Sequence, residues 1–272
     1  MNRVWLAPPF DRLWAGCDPF DEVERLQGEV FRELEARRTL RTEVEGRAYF
    51  VKIHRGVGWF EIVENLVRGR APVLGARNEY EAIEHLGKAG VATMRPVAFG
   101  ERGANPATRQ SFLVTEALEP TLALDEHCRA WRETPPGARW RHAVIARVAD
   151  IARRMHASGM NHRDFYLVHF LLHLDPAPTP ETLRISLIDL HRAQIRASTP
   201  RRWRDKDLAA LHFASLEAGL TDRDRLRFAR SYFGRPLRVV LRDEARLFAF
   251  LEREGVRLME RWERKFAPGA TS

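Results

Sequence analysis

The sequence predicts an α+β protein with two lobes, a β-rich lobe over residues 1–118 and a mostly helical lobe over residues 119–272. Three observations lead to this prediction. A hairpin and two further strands precede residue 118, a strong amphipathic helix follows it, and charged residues stand at the ends of apolar strands in both parts. With 272 residues and 44% hydrophobic content, the chain can bury a large core.

The first lobe is predicted to begin with a helix and continue with a hairpin. The pattern over residues 23–35 favours a helix, with Asp21 as its N-cap. Residues 39–44 and 47–54 alternate or run apolar around Glu45-Gly46, which is typical of two antiparallel strands. Lys52 lies on the second of these strands.

An inserted helix is predicted near residues 57–70, after the lysine strand. Its apolar residues recur at helical spacing. They are Trp59, Phe60, Ile62, Val63, Leu66 and Val67. Three contacts are possible for this apolar stripe. It could bind a lipid surface, bind an acyl chain or protein partner, or pack against the first lobe.

A further helix over residues 79–89 carries carboxylates and is ended by Gly90. Glu79 opens its apolar register, so it is the first candidate to pair with Lys52, and Glu81 is the second; a plain surface carboxylate is the alternative. Two more strands are predicted over residues 91–100 and 111–115, and the lobe boundary falls near 118.

The second lobe is predicted to bring a charged loop to the end of a long helix. Residues 141–158 form a strong amphipathic pattern, and Gly159 leads from it into His162-Arg163-Asp164. A second aspartate, Asp189, closes the apolar strand Leu187-Ile188. A strand lysine, an aspartate in an HRD turn and a strand-ending aspartate, in this order, are the charged groups that phosphoryl transfer requires.

Each of these groups has a predicted role. Lys52 supplies the cation that holds the ATP phosphates, Asp164 is the base beside the attacking hydroxyl with Arg163 next to it, and Asp189 is the ligand of Mg²⁺. His169 stands where many kinases carry a second metal-ligating asparagine, so it is a candidate for the metal, for phosphate or for orienting Asp164.

Nucleotide contacts are predicted at both ends of the first lobe's strands. Arg37 and Arg38 occupy a turn that is glycine-rich in protein kinases, so their side chains are candidates to replace part of a backbone phosphate cradle. Glu116 to Leu118 is the segment where the chain crosses between lobes, and its backbone is expected to meet adenine.

These motifs resemble the lipopolysaccharide core heptose(I) kinases, the WaaP/RfaP family. The resemblance covers nearly the whole chain. It rests on the segments Tyr49 to His54, Pro72 to Arg77, Asn161 to Asp164 with Tyr166, His169 to Leu172, Ile188 to Ala193 and Lys206 to Ala210. It implies a protein-kinase-like fold and transfer of the ATP γ-phosphate to a heptose hydroxyl of the inner core in a Gram-negative bacterium. It also implies that His169 and the Asp189-Leu190-His191 turn belong to an active enzyme.

Charge fits an anionic acceptor. Lys and Arg number 45 against 37 Asp and Glu, which gives a net charge of +8. Arginine recognises phosphate and carboxylate groups bidentately. The arginines beyond Asp189 are therefore predicted to bind the lipopolysaccharide inner core. They are Arg192, Arg201, Arg202 and Arg204, and Arg196 and Lys206 belong to the same basic cluster. A solvated basic loop is the alternative for any one of them.

Localisation is expected to be cytoplasmic, with peripheral association at the anionic inner membrane surface. No run of about 18 apolar residues occurs, and the two cysteines form neither a disulfide framework nor a metal-ligand spacing.

The family resemblance adds acyl-acyl carrier protein as a partner. A protein tyrosine kinase, an inactive kinase-fold scaffold and a nucleic-acid-binding protein remain alternatives. Nucleic acid is not expected as a partner, because it explains none of Lys52, Asp164 and Asp189.

Overall fold

The structure is a computed structural model that describes residues 2–34, 36–67 and 75–266. Contacts between residues divide the chain into two compact units. The first comprises residues 1–87, 93–118 and 190–192, and the second comprises residues 88–92, 119–189 and 193–272. The predicted α+β class, with a β-rich lobe and a helical lobe, is confirmed.

The first unit is built on a six-stranded antiparallel sheet. Its strands are β1 (Arg3–Leu6), β2 (Glu29–Leu34), β3 (Arg37–Val44), β4 (Arg47–His54), β5 (Pro96–Arg102) and β6 (Gln110–Glu116). They lie in the order β1-β5-β6-β4-β3-β2. The helices are α1 (Phe10–Leu13), α2 (Pro19–Arg25), α3 (Gly58–Val67) and α4 (Arg77–Lys88). Phe10, Tyr49 and Phe112 are buried in the core between this sheet and the first two helices.

The predicted hairpin is confirmed and the predicted helix over residues 23–35 is wrong. Helix α2 ends at Arg25, and Asp18 caps it by accepting a hydrogen bond from Phe20 N at 2.8 Å, so Asp21 is not the cap. Strand β2 follows instead, as the edge strand beside β3. All its side chains are exposed, so no alternation of burial marks it as a strand. Residue 35 lies outside the described residues.

The inserted helix forms as predicted over its described part. Ile62 packs with Val57 and Ala107, whereas Trp59, Phe60 and Val63 are 58%, 82% and 53% exposed. These three side chains therefore do not pack into the unit's core. The side chain of Leu66, and residues 68–70 of the predicted helix, lie outside the described residues.

Two of the three remaining predicted elements of this unit form close to their expected bounds. Helix α4 runs from Arg77 to Lys88 and strand β6 from Gln110 to Glu116. The predicted strand over residues 91–100 begins only at Pro96.

The second unit is mostly helical. Its helices are α5 (Leu124–Cys128), α6 (Ala138–Ala157), α7 (Arg201–Ser215), α8 (Asp222–Phe233), α9 (Leu237–Asp243) and α10 (Ala245–Phe266). Its strands are β7 (Thr121–Ala123), β8 (Met160–Asn161), β9 (Phe170–His173), β10 (Ile185–Leu187) and β11 (Gln194–Ile195). Helix α6 is the amphipathic helix predicted over residues 141–158. The short pairs β8–β11 and β9–β10 flank the chain segments that carry the polar motifs.

Candidate active site

The HRD loop is held from within the second unit by one buried carboxylate. Asp207, on α7, accepts hydrogen bonds from the backbone N–H of His162 at 2.6 Å and of Arg163 at 2.8 Å. Asp207 is 1% exposed. Arg163 has a φ of +77°, a left-handed conformation that costs a non-glycine residue energy and persists only when its surroundings enforce it. The two hydrogen bonds from backbone N–H groups to Asp207 hold the residue in this conformation.

His162 links the loop to the strand that precedes Asp189. Its Nε2–H donates to the carbonyl of Ile188 at 3.0 Å, and its Nδ1 accepts from the backbone N–H of Asp164 at 3.3 Å. Burial lowers the pKa of His162, which favours the neutral ring that this donor and acceptor pattern requires.

His169 contacts both the predicted base, Asp164, and the predicted metal ligand, Asp189. Its Nδ1 donates to the carbonyl oxygen of Asp164 at 2.6 Å, and its Nε2 lies 3.4 Å from Oδ2 of Asp189. Because a carbonyl only accepts, the neutral ring turns an Nε2 lone pair toward the Asp189 carboxylate. A proton or a divalent cation between these atoms satisfies both, so this pair of donors fits a metal ion.

The metal would need further ligands beyond this pair. The described residues contain no cluster of three or more histidine, cysteine or carboxylate side chains suited to a metal ion. Magnesium is commonly held by one or two carboxylates together with substrate phosphates and water. Asp189 also has a left-handed φ of +62°, and its side chain is 31% exposed, so its carboxylate is accessible.

Lys52 and Glu79 form a short ion pair in the first unit. Lys52 Nζ lies 2.7 Å and 3.0 Å from the two carboxylate oxygens of Glu79. Glu79 is 2% exposed, whereas Glu81 is exposed on the same helix. The carboxylate that contacts Lys52 is therefore Glu79, the first of the two candidates, and the surface-carboxylate alternative is wrong.

The other predicted nucleotide residues lie at the ends of the first unit's strands. Arg37 and Arg38 open β3, and Arg38 donates to the carbonyl of Glu24 at 3.2 Å. Glu116 closes β6, where its N–H donates to the carbonyl of Arg95 at 2.9 Å. Leu118 ends the segment 93–118 of the first unit. Arg192 lies in the short helical turn Leu190–Arg192, which belongs to the same unit.

The arginines predicted to bind substrate in α7 have different surroundings. The guanidinium of Arg204 lies 2.7 Å from Asp205 and 3.0 Å from Glu244, and its side chain is 15% exposed. Arg201 lies 3.4 Å from Glu244 but is 74% exposed. Arg202 is exposed and lies 5.3 Å from the centre of the Trp203 ring.

Trp203 is surrounded by four cationic side chains of the second unit. Besides Arg202, these are Arg163 and Arg196, each 5.8 Å from the ring centre, and Lys206 at 4.9 Å. We call these four residues the Trp203 cation cluster. The hydrogen-bond partners of the Arg196 guanidinium are the neutral side chains of Asn161 and Gln194, which do not offset its charge. In the described residues, Arg196, Arg202 and Lys206 form no salt bridge with a carboxylate.

Sequence reasoning missed Asp207 and Trp203. Asp207 belongs to a motif segment that was recognised, Lys206 to Ala210, but its role was not. The available signal was an aspartate that leads an apolar helical run, Leu208 to Leu211, because a carboxylate on the buried face of a helix needs hydrogen-bond donors there.

Comparison with known proteins places the chain in a family. The profile of the Lipopolysaccharide kinase (Kdo/WaaP) family matches residues 21–232. The chain belongs to this family. A solved structure, WaaP in complex with acyl carrier protein, matches with a TM-score of 0.84 and 55% identity, covering 94% of this chain and 99% of that one.

Curated relatives agree with the family match. The lipopolysaccharide core heptose(I) kinase WaaP of Pseudomonas aeruginosa PAO1 is 58% identical over 262 residues, covering 96% of this chain and 98% of the relative. The protein of the same name from Escherichia coli is 53% identical, covering 96% and 99%. The resemblance inferred from the motifs is confirmed, and none of the three alternative functions gains support.

The ion pair generates a prediction with a matched control. Replacement Glu79→Gln removes the charge that orients Lys52 and should lower kcat/KM for ATP by roughly ten- to a hundredfold, the effect of losing a hydrogen bond to a charged group. The exposed Glu81→Gln on the same helix should change it less than twofold. Initial rates at varied ATP concentration measure both. Equal effects of the two substitutions would contradict a specific role for Glu79.

Proposed function

We propose that this chain is an ATP-dependent lipopolysaccharide core heptose(I) kinase, which transfers the γ-phosphate to a hydroxyl of the first heptose of the inner core. The names of relatives 52–58% identical to it support this assignment. The structural observation that carries it is a series of contacts: hydrogen bonds run from Asp207 through the HRD loop to His169, whose Nε2 lies 3.4 Å from Oδ2 of Asp189. This series supports Asp164 as the base and Asp189 as the metal ligand.

Each catalytic group then has a definite task. Asp164 accepts the proton of the attacking hydroxyl and orients it. Lys52, held by Glu79, binds ATP phosphate oxygens. Asp189, together with His169, would hold Mg²⁺, which supplies positive charge to the phosphate oxygens when it is bound. Arg163 shapes the loop through its backbone and adds positive charge through its side chain.

Nucleotide binding in the first unit is assigned to two groups of residues. Arg37 and Arg38 stand at the β2–β3 turn, where their guanidinium groups are suited to phosphate. The segment from Glu116 to Leu118 begins at the last residue of β6, and its backbone groups beyond the strand pairing are suited to the adenine edge. Both assignments depend on ATP as the phosphate donor, which the kinase family implies.

Acceptor recognition is assigned to the Trp203 cation cluster. Four like charges around one indole ring repel each other, and an anionic group among them would relieve this repulsion. Inner-core lipopolysaccharide carries carboxylates and phosphates. Arg202 is therefore retained as a substrate-binding residue, with Arg201 and Arg192 as further cations nearby in sequence. Arg204 is already paired with two carboxylates, so we assign it to holding α7 in place.

An acyl chain carried by acyl carrier protein is a second ligand. The second unit contains an open cavity of about 590 Å³, within the roughly 300–1,000 Å³ range of ligand pockets. Its lining is mostly apolar and includes Leu124, Val144, Val148, Leu226, Leu247 and Leu251. Protein interiors are normally close-packed, so a cavity of this size favours a ligand. The solved complex of a relative with acyl carrier protein supports this partner.

Peripheral association with the cytoplasmic face of the inner membrane is assigned to α3. No helix in the described residues is long and apolar enough to span a membrane. Trp59, Phe60 and Val63 present exposed apolar surface, and the chain carries a net charge of +8. Exposed apolar side chains on a helix, together with positive charge, are the features of interfacial binding to anionic lipid.

The assignment of the base predicts the main catalytic defect. Asp164→Asn should keep the fold and lower phosphate transfer to dephosphorylated inner-core lipopolysaccharide by roughly 10²–10⁴-fold, because a positioned general base contributes this much. Asp175→Asn, on a turn of the same unit, serves as the control and should retain activity. Mass spectrometry of the product locates the phosphate. A folded Asp164→Asn protein with near-normal turnover would refute the role of this residue.

The cation cluster predicts a change in acceptor affinity. Arg202→Gln with Lys206→Gln should raise KM for the lipopolysaccharide acceptor about tenfold or more and weaken its salt dependence, while KM for ATP stays unchanged. The exposed pair Arg223→Gln and Arg238→Gln removes the same charge elsewhere in the unit. Equal losses in both double variants would show that only net charge matters.

The two apolar features predict opposite binding defects. Phe60→Ser with Val63→Ser should reduce binding to anionic lipid vesicles and leave binding of hexadecanoyl-acyl carrier protein intact. Leu226→Trp fills part of the cavity. It should weaken binding of hexadecanoyl-acyl carrier protein and leave binding to the vesicles intact. Vesicle sedimentation and calorimetric titration measure the two affinities. Both defects appearing in one variant would contradict the separate assignments.

A further inference from the structure

A single tyrosine connects the apolar cavity to the interior of the second unit. Tyr232, on α8, lines the cavity with its ring, which stacks against that of Phe228. Its hydroxyl lies 2.8 Å from Nδ1 of His156, on α6. Tyr232 is 6% exposed and His156 is 7% exposed, so this contact is shielded from water. The same side chain thus forms cavity wall and buried hydrogen bond.

For a neutral imidazole, the directions of these hydrogen bonds follow from the chemistry of the groups. Nε2 of His156 lies 3.3 Å from Oδ2 of Asp207, and an ionised carboxylate only accepts. Nε2 must therefore carry the proton. In the neutral ring Nδ1 is then the acceptor, and the Tyr232 hydroxyl must donate to it. Without this hydroxyl, Nδ1 would be a buried acceptor with no donor, which is costly.

Asp207 carries this series of bonds into the HRD loop. The oxygen that accepts from His156 also accepts from the N–H of His162, and the other oxygen accepts from the N–H of Arg163. A shift of the His156 imidazole would therefore move the Asp207 carboxylate. This carboxylate holds the backbone N–H groups of the two residues immediately before Asp164. Buried networks of this kind are strengthened by the low local dielectric.

We propose that Tyr232 is a positioning residue for the phosphoryl transfer, and that an acyl chain in the cavity raises the catalytic rate through it. The proposal rests on the proposed kinase function and deepens it. Where the Tyr232 ring borders the cavity, an acyl chain would add van der Waals contacts to it. A chain that fills the cavity restricts the ring, so that its hydroxyl stays directed at His156 and the loop keeps the geometry that Asp164 needs.

The central experiment separates rate from affinity. Saturating hexadecanoyl-acyl carrier protein should raise kcat of the wild-type chain severalfold relative to the unacylated carrier protein, with KM for ATP unchanged. Tyr232→Phe keeps the ring and removes the hydroxyl. It should bind the acylated carrier protein as tightly as the wild type does, but show less than a twofold increase in kcat. Tyr80→Phe, on α4 of the first unit, is the matched control and should respond like the wild type.

A second variant tests the order of the series. His156→Gln retains an amide N–H for Asp207, but its carbonyl oxygen lies away from the position of Nδ1. The hydrogen bond from Tyr232 is therefore lost, and the response to the acyl chain should also be abolished. Combining it with Tyr232→Phe should add no further loss in kcat, because both substitutions interrupt the same series. Independent, multiplicative losses in the double variant would refute the coupling. His156→Gln also provides the test if Tyr232→Phe does not fold.

A readout without turnover distinguishes failure of the proposal from failure of the proposed function. Hydrogen exchange of the segment over residues 159–166 should slow when the acylated carrier protein binds the wild-type chain, and should not slow in Tyr232→Phe. Slowing to the same extent in both proteins would overturn the proposal. A wild-type chain that shows the exchange response but transfers no phosphate to lipopolysaccharide would refute the proposed function and leave the coupling standing.

Discussion

The arrangement of the catalytic loop depends on the carboxylate of Asp207. At 1% exposure a carboxylate is stable only if hydrogen-bond donors replace its water. Among the described residues its donors are two backbone amides and one imidazole. These amides belong to the residues just before Asp164. The free energy that would be lost by an unsatisfied buried charge is therefore what keeps the loop in its conformation.

Two left-handed residues show where this constraint is needed. Arg163 and Asp189 have φ values of +77° and +62°. Arg163 precedes the predicted base, Asp164, and Asp189 is itself the predicted metal ligand. Such conformations cost about 1–3 kcal/mol each. Asp207 offsets the first of them. The second follows Ile188, whose N–H donates to the carbonyl of His169 and whose carbonyl accepts from His162, so the loop and the strand enforce each other.

Local patterns predicted what depends on neighbours in sequence and failed where partners are distant. The β3–β4 hairpin, Lys52 and the HRD loop follow from alternation, turn residues and spacing. Strand β2 was read as a helix because Val30, Phe31 and Leu34 recur at helical spacing, and only pairing with β3 makes the segment extended. Asp207 was not assigned a role because its donors lie more than 40 residues away in sequence, which no local pattern can reveal.

Helix α7 combines two tasks that would otherwise be independent. Its buried face carries Asp207, which holds the HRD loop. Within the same two turns it carries Trp203 and two of the four residues of the Trp203 cation cluster, Arg202 and Lys206. Arg163 belongs to both, through its backbone N–H and through its side chain. In the function that we propose, an anionic acceptor bound by this cluster would act on the helix that holds the HRD loop. Binding energy from a part of the acceptor that does not react can in this way be used to orient the hydroxyl that does.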